Sequence, residues 1–144
     1  MNIPDKIYAE IVQNVPILCV DLLMQDESGS YLLLKRKNEP LKNEYYLPGG
    51  RIFIGELLED AARRKAKEET GVRVKGPLLL VGIYEDVFTL SSFGVHTYHT
   101  LSMVFSCSVE GRSEILLNNY SDAWKFSETL PKRFKEKVKW LKNE

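Results

Sequence analysis

Apolar positions along the chain follow two spacings, one typical of helices and one typical of strands. Ile7, Tyr8 and Ile11 recur at helical spacing within residues 5–13, which predicts a short helix near the start. Residues 15–24 form an apolar run rich in β-branched and long aliphatic side chains, which predicts a buried strand. The turn segment DESGS separates this run from YLLLKRK, so the two segments are predicted to form a hairpin.

The strongest helix prediction covers residues 56–69, which contain no Gly, Pro or β-branched residue and are rich in helix formers. An apolar stripe along one face consists of Leu58, Ala61, Ala62 and Ala66. Gly71 follows where a C-terminal cap is expected. This segment is therefore predicted to pack one face against a sheet.

Strands are predicted on both sides of this helix, at residues 45–54 (short strands interrupted by a Pro-Gly-Gly turn), 77–84, 98–109 and 124–126. Residues 86–97 are predicted to form a loop or a hairpin end, and residues 131–142 a final basic helix. Because strands and helices do not alternate regularly, the order favours an α+β fold with a mixed sheet between helices. The length of 144 residues suits a single domain, 1–144.

Charge and hydropathy narrow the functional classes. Lys+Arg and Asp+Glu both number 20, so the general basic surface of a nucleic-acid binder is absent. A polyanionic ligand would instead need a local cluster of arginines and a metal.

No apolar stretch approaches the roughly 20 residues of a membrane span, and the N-terminus lacks the apolar core of a signal peptide, so the cytoplasm is the expected location. Cys19 and Cys107 lie in apolar runs, which predicts buried, reduced thiols.

The predicted helix at residues 56–69 also carries paired charges. Arg64 and Glu68 are four residues apart, as are Lys65 and Glu69, so each pair shares a face. Such pairs are common on solvated helix faces, but here a Pro-Gly-Gly turn precedes the helix. Carboxylates and a backbone carbonyl are ligands that Mg²⁺ prefers, and glycine lets the backbone approach a ligand closely. The combination favours a metal and diphosphate site.

Residues 50–72 resemble the Nudix box, whose pattern is G-x5-E-x7-R-E-U-x-E-E-x-G-U, where U is a bulky apolar residue. The matching residues are Gly50, Glu56, Arg64, Glu68, Glu69, Gly71 and Val72. The resemblance implies the α/β/α sandwich fold of Nudix hydrolases and hydrolysis of a nucleoside diphosphate linked to another moiety. It also implies a Mg²⁺ cofactor, with Mn²⁺ as an alternative. The expected metal ligands are a carbonyl of Gly49 or Gly50 and the carboxylates of Glu56, Glu68 and Glu69.

The chain departs from the Nudix pattern at two positions. Lys65 stands where the family has a Glu directly after the box arginine, and Ala66 replaces a bulky apolar residue. The first change removes one carboxylate and leaves Glu68 and Glu69 as the main metal ligands. By resemblance, Arg64 orients a box carboxylate during catalysis, and Glu56 supports the loop or the metal.

Residues 15–55 are similar to the corresponding part of the GDP-mannose mannosyl hydrolases, a branch that also lacks the Glu after the box arginine. This resemblance implies that Arg36 and Arg51 hold the diphosphate and stabilise it as a leaving group. It also implies that Asp21 binds the base or the sugar. One of Tyr45 and Tyr46 is expected to stack on a nucleobase, with Tyr46 as the chosen candidate, while strand alternation sends the other into the core.

The resemblance to the mannosyl hydrolases also calls for a general base. The mannosyl hydrolases use a His in a loop that aligns with Tyr120 here. The histidines of the chain, His96 and His99, lie on a different segment. Histidine titrates near neutral pH, so His99 is the candidate base, and a surface or structural histidine is the alternative.

Three hypotheses follow. The first is hydrolysis of a nucleotide sugar such as GDP-mannose, with attack at the sugar carbon. The second is a general Nudix pyrophosphohydrolase that splits the P–O–P bridge of ADP-ribose or a nucleoside triphosphate. The third is a non-catalytic module that binds a nucleotide. In each case the expected ligand is a small nucleotide rather than nucleic acid or membrane, and the resemblance suggests a homodimer.

Overall fold

The computed structural model describes residues 2–89, 97–111 and 113–142. The helices in these ranges are α1 (Asp5–Asn14), α2 (Leu58–Thr70) and α3 (Lys132–Lys137). The strands are β1 (Ile17–Gln25), β2 (Tyr31–Arg36), β3 (Tyr45–Tyr46), β4 (Gly49–Arg51), β5 (Leu79–Phe88), β6 (Tyr98–Ser108), β7 (Ser121–Ser127) and β8 (Val138–Trp140).

Strand β1 lies at the centre of a mixed sheet. It pairs in parallel with β6 along its whole length and antiparallel with β2 and β4. The order β3-β2-β1-β6-β5-β8 describes the main path, while β4 adds to β1 and β7 adds to β2. The predicted hairpin of the first two strands is confirmed by the pairing of Gln25 with Tyr31.

Helices cover both faces of this sheet, as predicted. Alternate side chains of β1 point in opposite directions, so Val20 and Leu22 pack with the buried alanines of α2. Leu23 points the other way and packs with Phe134 of α3, and Cys19 packs with Val12 of α1. The sheet is therefore buried between α2 on one face and α1 and α3 on the other.

Helix α2 confirms the strongest helix prediction and begins two residues later than predicted. Ala61, Ala62 and Ala66 are fully buried, and their small side chains allow the helix to approach the sheet closely. The helix ends at Gly71, whose φ of 76° is costly for any residue with a Cβ atom. A side chain there would also meet Leu116, since a Cβ would lie 2.8 Å from Leu116 Cβ. Local sequence thus determines where α2 ends, and its buried alanines determine which face meets the sheet.

The C-terminal segment differs from the prediction of a helix over residues 131–142. Helix α3 ends at Lys137, and the next residues form β8, which pairs antiparallel with β5. Valine and tryptophan favour strands, and the edge of β5 offers unpaired backbone groups. Gly82 of β5 makes room for Trp140, because a Cβ there would lie 3.2 Å from Trp140 Cε3. A long-range pairing has replaced the last turns of the predicted helix.

The predicted loop over residues 86–97 is also wrong at its start. Strand β5 continues through Phe88, because residues 86–88 pair with β6 across Val87 and His99. Residues 90–96 lie outside the described ranges.

In the described part of the chain, no helix is long and apolar enough to cross a membrane. Both cysteines are buried and free, as predicted.

A buried ion pair joins β5 to α3. The carboxylate of Asp86 is fully buried and receives hydrogen bonds from Arg133 Nε and Nη2, both at 2.6 Å. The hydroxyl of Tyr84 also donates to Asp86. Burial alone would raise the pKa of Asp86, but the hydrogen bonds from Arg133 and Tyr84 outweigh it and lower that pKa. The pair fixes the short α3 helix against the sheet.

Replacing Arg133 by methionine should lower the free energy of unfolding by about 2–3 kcal/mol at neutral pH, because Asp86 is left buried without its main partner. The value lies below that of a fully buried pair, since the Arg133 side chain is 38% exposed. Urea denaturation followed by tryptophan fluorescence measures the change. The matched control is Lys132→Met, whose exposed pair with Glu136 should contribute less than about 0.5 kcal/mol.

The stabilisation that the Asp86–Arg133 ion pair contributes should depend on pH in a defined direction. Because the folded pKa of Asp86 is lowered, its stabilisation is present above the unfolded value of about 3.9 and is lost as pH falls through the folded pKa. The difference between the wild type and Arg133→Met should therefore shrink in acid. A difference that stays constant down to the lowest pH at which both proteins fold contradicts this account.

Candidate active site

Arg64 of α2 forms a bidentate ion pair with the carboxylate of Glu56. Its Nε lies 2.7 Å from Glu56 Oε2, and its Nη2 lies 3.0 Å from Glu56 Oε1. The same Nη2 donates to the backbone carbonyl of Arg51 at 2.9 Å. Glu56 Oε1 also accepts a hydrogen bond from the backbone N–H of Phe53 at 3.0 Å. The loop between β4 and α2 is thereby tied to the helix.

Further contacts immobilise Arg64. Its guanidinium lies 3.6 Å from the centre of the Phe53 ring, and its Nη1 donates to both oxygens of Glu68 at 3.0 and 3.1 Å. The hydrogen bond from Arg64 is the largest cause that lowers the pKa of Glu56, so this carboxylate is charged at neutral pH. Glu56 was predicted among the metal ligands. Both of its oxygens accept hydrogen bonds from Arg64, so it ties the loop to the helix, and its role as a metal ligand stays a prediction.

Lys65 and Glu69 lie deeper in the site than Glu68. The Lys65 side chain is 11% exposed, and its Nζ lies 3.4 Å from Glu68 Oε2 and 3.8 Å from Glu69 Oε1. Glu69 is buried, and its Oε2 has no hydrogen-bond partner among the described residues. A buried carboxylate oxygen without a partner is costly, so this atom is suited to receive a cation or a ligand donor.

Strand β4 brings the two glycines of the turn against β1. Gly49 pairs with Asp21 and Gly50 with Val20. A Cβ on Gly49 would lie 2.3 Å from the Val20 carbonyl oxygen and 2.4 Å from Asp21 Oδ1, so only glycine fits. The carboxyl of Asp21 therefore lies directly beside the glycine backbone.

The carboxyl of Asp21 has an unusual protonation equilibrium. Burial raises its pKa to about 7, although a hydrogen bond with Ser102 and the charge of Arg36 oppose the rise. The nearby charge of Glu69 raises it further. The pKa of Asp21 is therefore raised toward neutrality.

Two predicted phosphate-binding arginines lie on the same rim. Arg36 ends β2, and its Nε donates to the carbonyl of Pro40 at 2.7 Å. The guanidinium of Arg51 lies 5.5 Å from the Tyr8 ring centre and 5.0 Å from that of Phe53. Both arginines border the same open space, so the structure brings together the two residues that the sequence placed at the diphosphate.

Tyr46 lies inward, and Tyr45 is the more exposed of the pair. The Tyr46 ring is buried beside Tyr84 and Phe134, so its faces are not open to stack on a base. Its hydroxyl lies 2.5 Å from that of Tyr84. Since Tyr84 donates its single proton to Asp86, Tyr46 must donate to Tyr84 and keeps only acceptor capacity. Tyr46 thus contributes a polar oxygen to the wall of the site, and its ring is not open to stack on a base.

These residues line two connected spaces. The outer cavity has a volume of about 1040 Å³, and its lining includes Tyr8, Arg36, Arg51, Arg64, Lys65 and Glu68. The inner pocket has a volume of about 240 Å³, and its lining includes Asp21, Tyr46, Gly49, Glu69, Tyr84 and Ser102. Arg36, Arg51 and Lys65 border both spaces. A ligand with a diphosphate at this boundary would have its two ends in different surroundings.

His99 is not brought to the site. Its neighbours Tyr98 and Thr100 line the inner pocket, and strand alternation places His99 on the opposite face of the sheet. There its Nε2 lies 2.7 Å from Glu85 Oε2. The prediction of His99 as general base is therefore wrong in its geometry. His96, the other candidate, lies outside the described residues.

Several lining residues were missed by sequence reasoning. Tyr8 comes from α1, Tyr98 and Ser102 come from β6, and Tyr84 comes from β5. In the sequence, each reads as an ordinary helix or strand residue. Strand alternation in β6 places Tyr98, Thr100 and Ser102 on one face, so the sequence could have grouped these three residues. It could not show that this face meets the glycine turn.

The donor set suits one hard cation that shares a diphosphate. In the described part of the chain, no three His, Cys, Asp or Glu side chains are gathered as a ready-made metal cage. Glu69, with its unpartnered buried oxygen, and Glu68 offer carboxylates, and the glycine turn offers backbone carbonyls. Mg²⁺ is commonly bound by one or two carboxylates together with substrate phosphates and water. The residues present therefore fit such an ion.

Comparison with known proteins agrees with the box pattern and the fold. Residues 15–141 match the model of the NUDIX domain family. The low-salt glycan biosynthesis protein Agl8 of Haloferax volcanii is 39% identical over 110 residues, covering 76% of this chain and 69% of that protein. An ADP-ribose pyrophosphatase of Methanocaldococcus jannaschii is 38% identical over 96 residues, covering 67% of this chain and 53% of that protein. The chain belongs to the Nudix hydrolase family, whose members generally use divalent metal ions.

Solved structures show the same fold. A MutT protein from Methanosarcina mazei superposes with a TM-score of 0.68 at 24% identity, covering 85% of this chain and 91% of that chain. The NUDIX domain of Shewanella oneidensis NrtR, solved with ADP ribose, gives a TM-score of 0.62 at 20% identity, covering 83% of this chain and 81% of that chain. The mixed sheet between helices is thus the Nudix fold.

Replacing Glu69 by glutamine should weaken Mn²⁺ binding by about tenfold or more, because the buried carboxylate loses its charge where a cation is expected. Titration with Mn²⁺ followed by electron paramagnetic resonance of the free ion measures the affinity. Glu59→Gln is the matched control, since Glu59 is exposed in the first turn of the same helix. Equal losses in the two variants would contradict the assignment of Glu69.

Replacing Asp21 by asparagine should change how stability depends on pH. Because the folded pKa is raised to about 7, ionisation of Asp21 costs folding free energy that grows as pH rises from about 4 and levels off above about 7. Relative to the wild type, Asp21→Asn should be more stable at about pH 8 than at about pH 5, by at most a few kcal/mol. Urea denaturation with EDTA present tests this, and a pH-independent difference between Asp21→Asn and the wild type would contradict it.

Proposed function

We propose that this Nudix hydrolase cleaves a nucleoside diphosphate sugar, with water attacking the anomeric carbon and the nucleoside diphosphate leaving. The observation that carries the proposal is the boundary between the two spaces, where Arg36, Arg51 and Lys65 border both the outer cavity and the inner pocket. Cationic side chains that border both spaces can offset the negative charge of a diphosphate, with a separate space for each of its ends. The 39% identical relative named for glycan biosynthesis supports a sugar-containing substrate.

The arginines have complementary tasks at the diphosphate. Arg36 is anchored through Nε to the Pro40 carbonyl and borders both spaces. Arg51 is held beside two aromatic rings, whose faces attract its charge. Forked guanidinium groups suit phosphate oxygens, and their charge stabilises a departing diphosphate more than a bound, uncleaved one. A divalent ion bound at Glu68 and Glu69 would further offset this charge.

The inner pocket provides the polar surroundings for the sugar. Tyr46 offers an acceptor oxygen for a sugar hydroxyl, and Asp21 and Glu69 are the carboxylates on its wall. When the bond between the anomeric carbon and the phosphate oxygen breaks, the oxygen of water bonds to carbon and releases one proton. A raised pKa suits Asp21 to accept that proton, because a general base works best when its pKa lies near the operating pH. We therefore assign to Asp21 the role first expected of a histidine.

Attack at phosphorus is the second candidate. It is favoured by the 38% identical relative named ADP-ribose pyrophosphatase. In this reaction water bonds to phosphorus and the P–O–P bridge breaks, so ADP-ribose yields two monophosphates. The same arginines and metal site would bind ADP-ribose, and the position of bond cleavage distinguishes the two reactions.

Product analysis in oxygen-18 water tests the proposal. The protein is incubated with Mg²⁺ and GDP-mannose, UDP-glucose, ADP-ribose or a nucleoside triphosphate, and the products are identified by mass spectrometry. We expect a nucleoside diphosphate and a sugar that carries the label. A labelled monophosphate would establish attack at phosphorus and replace the first candidate with the second.

Two controls accompany this experiment. Glu69→Gln should lose most turnover, and Glu59→Gln, on the exposed side of the same helix, should retain it. Nucleotide binding without turnover of any compound in the panel would contradict both reactions on these substrates and would favour a binding module.

A further inference from the structure

Lys65 places a positive charge inside the group of carboxylates on α2. Its Nζ lies 3.4 Å from Glu68 Oε2 and 3.8 Å from Glu69 Oε1, and its side chain is 11% exposed. Both carboxylates are candidate metal ligands, so the ammonium lies where a cation is expected. Lys67 on the same helix is exposed instead, and its Nζ donates to the Gly71 carbonyl, away from these carboxylates.

The backbone of β4 makes room for this ammonium. A Cβ on Gly50 would lie 2.6 Å from Lys65 Cε and 2.9 Å from Lys65 Nζ. Any side chain at this position would therefore displace the lysine from the site. The absence of a side chain at Gly50, which would let a metal or ligand approach the backbone, also allows Lys65 to lie against the turn.

The local charge balance shows what the lysine replaces. Glu56, Glu68 and Glu69 contribute three negative charges, and Arg64 and Lys65 contribute two positive ones, which leaves one negative charge. A glutamate at position 65, as the box pattern prescribes, would leave four negative charges against one positive. The two arrangements differ by two charges, which is the charge of one divalent ion.

We propose that the ammonium of Lys65 is a tethered cation that takes the place of a divalent ion among the α2 carboxylates. The chain then binds one divalent ion where a glutamate at position 65 would support two. Lys65 borders both cavities, so the same ammonium can contact the diphosphate. The inference rests on the metal site of the proposed function and adds the number of ions and the residue that sets it.

The exchange has a chemical consequence for specificity. A second divalent ion can bind water and lower its pKa, whereas an ammonium offers charge and hydrogen bonds but no coordination site. Lys65 would therefore strengthen the clamp on a leaving diphosphate without generating a metal-bound nucleophile aimed at phosphorus. It acts as a specificity-determining residue in the choice between attack at carbon and attack at phosphorus.

Counting bound Mn²⁺ tests this inference without any substrate. Electron paramagnetic resonance of free Mn²⁺ gives the affinity and stoichiometry for the wild type, Lys65→Met, Lys65→Glu and the control Lys67→Met. We expect one Mn²⁺ per chain in the wild type, about tenfold tighter binding in Lys65→Met because a like charge is removed, and a second Mn²⁺ in Lys65→Glu. Lys67→Met should match the wild type. Unchanged or weaker binding in Lys65→Met, or a single ion in Lys65→Glu, overturns the proposal.

Chemical restoration separates charge from shape. Lys65→Cys can be aminoethylated with 2-bromoethylamine, which rebuilds an ammonium on a side chain of nearly lysine length. Burial raises the pKa of Cys19 to about 12 and that of Cys107 to about 11, so these thiols are protected from the reagent. Mass spectrometry and circular dichroism verify the single modification and the fold. Mn²⁺ binding should tighten in Lys65→Cys and return to the wild-type value after modification, and failure to return overturns the proposal.

This experiment is independent of the identity of the substrate. A chain that cleaves at phosphorus could still show the predicted change in Mn²⁺ stoichiometry. Conversely, cleavage of a nucleotide sugar with two Mn²⁺ already bound in the wild type would leave the proposed function intact and overturn the role of Lys65. The two proposals can therefore fail separately.

Discussion

The guanidinium of Arg64 joins three parts of the site that are separate along the chain. It binds the Glu56 carboxylate, the backbone carbonyl of Arg51 and the carboxylate of Glu68. Its face rests on the Phe53 ring, so it has little freedom to leave this position. Because the loop after β4 has no regular structure of its own, these bonds determine where the glycine turn and the α2 carboxylates meet. The cavity depends on that placement.

The glycine turn lets groups from both faces of the sheet share one pocket. Asp21 points to the face covered by α1 and α3, whereas Glu69 and Lys65 come from α2 on the other side. Gly49 and Gly50 lie between them and carry no side chain that would separate them. The acid with a raised pKa, the unpartnered carboxylate and the ammonium are therefore neighbours. The electrostatics of the site follow from this packing rather than from any single element.

A separate network of hydrogen bonds fixes the far wall of the inner pocket. Arg133 donates hydrogen bonds to Asp86, which also accepts a hydrogen bond from the Tyr84 hydroxyl. Tyr84 in turn accepts a hydrogen bond from the Tyr46 hydroxyl. Each side chain in this hydrogen-bond network has one orientation consistent with its partners. The hydroxyl oxygen of Tyr46 is therefore left as an acceptor on the pocket wall. The position of α3 thus affects the pocket, although α3 contributes no residue to the described lining of the inner pocket.

The sequence by itself determined the elements whose signals are local. Helix α2 followed from its helix formers and Gly71, and the box pattern predicted Arg64, Glu68 and Glu69 as site residues. Tertiary structure decided what depends on partners distant in sequence. Strand β8 formed because β5 offered an edge beside Gly82, which no local propensity reveals. His99 faced away because strand pairing set its side of the sheet, and Lys65 turned inward because Gly50 left space. Local patterns specify elements, but the neighbours of a side chain follow only from packing.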